Sequence, residues 1–143
     1  MAGVAALAIG AAAKGQAPSG ELGRIECGSD AAPGGAVCSV DARLYVGWRV
    51  FHAQCAACHA QDAVGSSFAP DLTRRIREMD EREFFKALDD GYLGPHDSSP
   101  PRGSHPDVAR YYDELWGYLI ARARGQLPPG TLTRLPYTPV PDE

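Results

Sequence analysis

The chain has 143 residues, a length that suits one domain and is too short for a large apolar core of its own. It carries 14 Lys plus Arg against 18 Asp plus Glu. That mildly acidic balance argues against non-specific binding of nucleic acid.

The chain opens with an Ala-rich apolar run, Met1 to Ala13, that is too short to span a bilayer. Gly15-Gln16-Ala17 is an acceptable small-x-small cleavage site, so residues 1–17 read as a secretory signal peptide. No Lys or Arg precedes the run, which places the true start upstream or marks a trimmed chain. The competing reading is an ordinary Ala-rich helix. With the leader removed, no stable membrane span is expected.

Residues 18–42 are rich in Gly, Pro and Ala without a sustained period and read as an irregular extension. Cys27 and Cys38 flank a turn-forming stretch there. Export would place this even pair in an oxidising compartment, so a Cys27–Cys38 disulfide is favoured over two free thiols.

A first helix is expected from about Asp41, as N-cap, to Cys55, with Tyr45, Trp48, Phe51 and Cys55 at helical spacing. Gly47 and Phe51 share one face, where the glycine allows a second helix to approach closely. His52 reads as exposed.

The next five residues, Cys55-Ala56-Ala57-Cys58-His59, form C-x-x-C-H, the attachment pattern of c-type haem. Two thiols three positions apart on one helical turn can each add across one haem vinyl group. The histidine that follows then lies under the iron as its proximal ligand. A thioredoxin-type pair would need a βαβ setting, and no strand-like run precedes Cys55. A closed zinc site would need a second ligand pair, and Cys27 and Cys38 are not a second C-x-x-C.

From Gly65 to Leu72 the chain reads as a loop over the cofactor, and Leu72 to Met79 as a short helix. A further helix, Glu81 to about Asp90, has an acidic first turn and a buried stripe of Phe84, Phe85 and Leu88, with Gly91 as its stop. Arg74, Arg75 and Arg77 suit either a propionate or a solvated basic face. Tyr92 to Pro106 is a Gly-, Pro- and Ser-rich loop able to present a side chain to a cofactor. A last amphipathic helix is expected from Val108 to Arg124, capped by Asp107 and ended by Gly125, with Arg122 and Arg124 complementing its dipole. Trp48 and Trp116 are expected to pack the helix crossing or to donate to a propionate. The Pro-rich tail, 127–143, is expected to be extended or disordered.

Tyr45-Val46-Gly47-Trp48-Arg49-Val50-Phe51-His52, the residues from His59 to Ser66, Pro70-Asp71-Leu72, and the helix from Tyr111 to Leu119 together resemble a class I cytochrome c domain. With the two additional cysteines, the resemblance is nearest to the four-cysteine, methanol-metabolism-related c-type cytochromes associated with quinoprotein alcohol dehydrogenases. It implies an all-α fold around one covalent haem c, with the domain over residues 43–126. It further implies a periplasmic carrier of single electrons, not an enzyme. The donor would be a quinoprotein (PQQ-dependent) alcohol or methanol dehydrogenase, and the acceptor a downstream cytochrome or oxidase.

The sixth iron ligand stays open. Class I members usually place a methionine on the loop before the last helix, where this chain has Ser99. Its two methionines are Met1 and Met79. The candidates are His96, His105, Met79 or no side chain at all. An open site would make the protein a ligand sensor or weak peroxidase instead.

Overall fold

The computed structural model describes residues 23–28, 37–90 and 106–137. The leader region and the loop holding His96, Ser99 and His105 lie outside the described residues.

Two helices form the centre of the molecule. Helix α1 (Ala42–Gln54) is capped by Asp41, whose side chain accepts from the Leu44 amide at 3.0 Å. It packs along α6 (Tyr112–Ala123), which buries almost its whole length from Leu115 onward. Gly47 is the point of nearest approach: a Cβ built there would stand 1.9 Å from the Glu114 carbonyl oxygen. Only a residue without a side chain fits. Phe51 and Leu44 from α1, with Leu115, Tyr118 and Leu119 from α6, form the centre of the core.

Between these helices come α2 (Ala56–His59), α3 (Leu72–Arg75), a 3-10 turn (Ile76–Glu78) and α4 (Glu81–Asp89). Asp80 and Glu83 form a reciprocal capping box at the start of α4. Phe84 is the fully buried member of its apolar stripe, while Phe85 and Leu88 are half-buried. Trp116, half-buried against the core, stacks on Phe84 of α4 with ring centroids 5.4 Å apart.

The last helical segment is broken, where one continuous helix was expected. Helix α5 (Pro106–Ala109) is a single turn, and Tyr111, at φ −120° and ψ 17°, separates it from α6. Asp107 therefore lies inside α5 and does not cap the long helix. The break lets Tyr112 face α4, where it stacks on Phe85 and donates to Asp89 at 3.0 Å.

The segments read as irregular contain a small sheet. Strands β1 (Ile25–Cys27), β2 (Cys38–Val40) and β3 (Leu132–Arg134) lie in that order, with β1–β2 antiparallel and β2–β3 parallel. Cys27 pairs with Cys38 in the ladder, and the two are joined by a disulfide. Cys38, Val40, Leu127 and Leu132 all reach the core. Three-residue strands are too short to show a period of two, and their partners lie far apart in sequence. No helix among the described residues is long and apolar enough to cross a membrane.

Candidate functional site

Cys55 ends α1, its amide still donating to the Phe51 carbonyl at 2.8 Å, and it begins the next turn. The amides of Cys58 and His59 both turn back to the Cys55 carbonyl, at 3.1 and 2.9 Å. The motif thus occupies one helical turn, with both thiols free. Cys58 is exposed and Cys55 partly buried. Burial, with the neighbouring Cys58 second, pushes the Cys55 thiol up to about 11. A dithiol redox pair needs a readily formed thiolate, so this environment speaks against thioredoxin-like chemistry. Among the described residues, no three His, Cys, Asp or Glu side chains converge as they would around a bare metal ion.

Ala60, with φ at 62°, terminates the turn, and the chain folds back on the motif. The Gly65 amide donates to the His59 carbonyl at 3.0 Å, and the Ser66 hydroxyl donates to the Cys58 carbonyl. Gly65 has φ at 84°, and a Cβ there would lie 2.6 Å from the Asp71 nitrogen. This close contact brings the Pro70 carbonyl to within 2.8 Å of His59 Nδ1. A carbonyl can only accept, so Nδ1 carries the proton and Nε2 keeps its lone pair for a metal. The role of the Pro70 carbonyl was not legible in the sequence: a main-chain oxygen has no residue type, and only the neighbourhood of Pro70-Asp71-Leu72 pointed to it.

Other candidate residues fall elsewhere. His52 is half-buried, not exposed; its Nδ1 pairs with the Trp48 carbonyl and its ring contacts Trp48 and Phe51. Trp48 Nε1 is buried with no hydrogen-bond partner among the described residues. Met79 is half-buried against the core at the end of the 3-10 turn. Arg74 and Arg75 pair with Glu78, while Arg77 donates to the Ala123 carbonyl at 2.6 Å. Arg122, read as a dipole partner in the last turn of the helix, is only 7% exposed. It donates to the carbonyls of Asp62 and Leu127.

The donor set fits a covalent haem. Two free thiols stand on one turn, an imidazole offers its lone pair beside them, and a buried indole N–H is available to a carboxylate. Val64 and Phe68, 53% and 74% exposed, add apolar surface on the loop that follows the motif.

Comparison with known proteins agrees. The family model described as cytochrome c oxidase, cbb3-type, subunit III, matches residues 42–119. Cytochrome c-553I of Paracoccus denitrificans is 31% identical over 96 residues, covering 64% of this chain and 42% of that protein. Cytochrome c-555 of Methylococcus capsulatus is 27% identical over 114 residues, covering 79% of this chain and 89% of that protein. The crystal structure of the c-type cytochrome XoxG from Methylobacterium extorquens AM1 superposes with a TM-score of 0.57 at 34% identity. It covers 68% of this chain and 63% of that one. The chain thus spans about two fifths of the Paracoccus relative's length and somewhat under two thirds of XoxG's.

Proposed function

This chain belongs to the c-type cytochrome family described as cytochrome c oxidase, cbb3-type, subunit III, and from that premise we propose that it is a periplasmic monohaem carrier of single electrons. Cys55 and Cys58 hold the haem as thioethers, and His59 Nε2 is the proximal ligand. The observation that carries this reading is the 2.8 Å contact between His59 Nδ1 and the Pro70 carbonyl, directly beside two free thiols. When bound, the haem iron supplies the one-electron couple. The chain's own part is to keep the His59 proton on Nδ1, which fixes the ring plane and raises the basicity of Nε2. The potential of a bound haem would be set by its ligands and by the low dielectric of the protein around it.

The donor is a quinoprotein alcohol dehydrogenase and the acceptor another cytochrome or a terminal oxidase, each docking transiently over a small area. This follows the resemblance to methanol-metabolism-related cytochromes. It is supported by the similarity to XoxG and to cytochromes c-553I and c-555. His96 is the sixth ligand in this reading. Met79, held against the core, is the thioether it displaces as a candidate.

Production in a host with haem-attachment machinery tests the proposal. The expected product has a Soret band and a mass above that of the polypeptide by one haem, both lost in Cys55→Ser/Cys58→Ser. A colourless product of polypeptide mass overturns it. Electron paramagnetic resonance of ferric His96→Ala tests the ligand. A changed signal supports His96; an unchanged one, or rapid carbon monoxide binding by the reduced wild-type protein, removes it.

A further inference from the structure

We infer that Arg122 is a positioning residue for His59, transmitting the placement of the segment after α6 to the proximal imidazole. The inference rests on the reading of His59 as the iron ligand.

The connection is continuous. Arg122 is buried, and its Nη2 donates to the Asp62 carbonyl at 3.0 Å, three residues beyond His59. Its Nη1 donates to the Leu127 carbonyl, in the turn that leaves α6. The Asp62 carboxylate in turn accepts from the Gly130 amide at 3.1 Å. Residues 127–130 and residue 62 are therefore bound to each other twice, once through each group. Ala63, fully buried at φ 61°, accepts at its carbonyl from the amides of Leu72 and Thr73, at 2.9 and 3.2 Å. Those two amides open α3, two residues after Pro70, whose carbonyl accepts from His59 Nδ1. Moving Asp62 thus moves the acceptor that sets the imidazole.

A buried guanidinium is costly unless its donors are used; here Nη1 and Nη2 are used, while the buried Nε has no hydrogen-bond partner among the described residues. What arginine adds here is a rigid planar fork that reaches two carbonyls from different segments at once. Lysine keeps the charge but has no fork.

The test uses the haem-loaded protein. In Arg122→Lys, exchange of the His59 Nδ1 proton, followed by NMR in the ferrous state, is expected to accelerate about tenfold, the worth of one hydrogen bond. The reduction potential should rise, because a weaker Nδ1 bond makes Nε2 a poorer donor to ferric iron. Asp62→Ala should accelerate exchange likewise, while Asp62→Asn, equally uncharged but still an acceptor for Gly130, should restore the wild-type rate. Wild-type exchange and potential in Arg122→Lys would overturn the inference, even with a lowered melting point. Identical behaviour of Asp62→Ala and Asp62→Asn would overturn the link from Gly130 to the turn; if Arg122→Lys does not fold, Arg122→Met, which fills the space without donors, is expected to accelerate exchange likewise, and a wild-type rate there would overturn the inference. A wild-type protein that takes up no haem overturns the underlying reading of His59 instead. A loaded wild type with insensitive variants overturns the role of Arg122 alone.

Discussion

Gly47 on α1 lies against Glu114 on α6 so closely that even one added carbon would overlap the Glu114 carbonyl. The obstacle is main chain on both sides, so neither partner can rotate away. Gly47→Ala must therefore spread the two central helices, and α1 carries Cys55 at its end. We expect a loss of about 3 kcal/mol, the upper range for an overpacked core, in thermal or denaturant unfolding of the haem-loaded protein. A stability equal to wild type would show that the contact is looser than described.

The disulfide can be tested separately from the haem site. Cys27 and Cys38 close a loop with a sequence separation of 11, and Cys38 is fully buried in the central strand of the sheet. Replacing both with serine is expected to remove about 2–3 kcal/mol of stability. The Soret band of the variant should match wild type, since neither cysteine belongs to the C-x-x-C-H turn.

Asp71 makes the loop beneath His59 sensitive to acid. Its carboxylate caps α3 by accepting from the Arg74 amide at 3.1 Å, and it also accepts from the Thr73 hydroxyl at 2.6 Å. Partial burial acts to raise its pKa. The hydrogen bonds from Thr73 and Arg74 and the Arg74 charge outweigh it and hold the group below its ordinary 3.8. A depressed carboxylate contributes stability above its unfolded value and loses it as pH falls through the folded one. Acid unfolding between pH 4 and the lowered value should therefore be shallower in Asp71→Asn than in wild type, as measured by circular dichroism across that window.

The capping box of α4 is the local counterpart. Asp80 Oδ1 accepts from the Glu83 amide and Glu83 Oε2 from the Asp80 amide, both at 2.8 Å. Asp80→Ala should cost about 1 kcal/mol and reduce hydrogen-exchange protection in α4. The visible spectrum should not change, because Asp80 and Glu83 make their hydrogen bonds to each other at the start of α4 and not to the C-x-x-C-H turn.

The parts legible in the sequence are those written in side-chain type at short spacing. Cys55, Cys58 and His59 declare themselves within five residues, Asp41 caps where a cap was expected, and Gly47 marks the helix contact. The parts that were not legible depend on distance along the chain or on main-chain atoms. Arg122 near a helix end reads as a partner of the helix dipole, and only its two carbonyl partners, from remote segments, reveal it as interior. Residues 25–27 and 132–134 become strands because Cys38–Val40 lies between them, a condition that neither segment announces alone. The interruption at Tyr111 is likewise marked by no breaker residue, and the residue after it contacts α4, a segment remote in sequence.

The parallel pairing of β2 with β3 imposes an order on biogenesis. Ser39 and Thr133 share a hydroxyl contact across 94 positions, so the earlier strand leaves the ribosome long before its mate exists. Cys55 and Cys58 emerge in the interval, while that clasp is still undone. The clasp can close only after Thr133 has been delivered, so the C-x-x-C-H turn is made before β3 is in place.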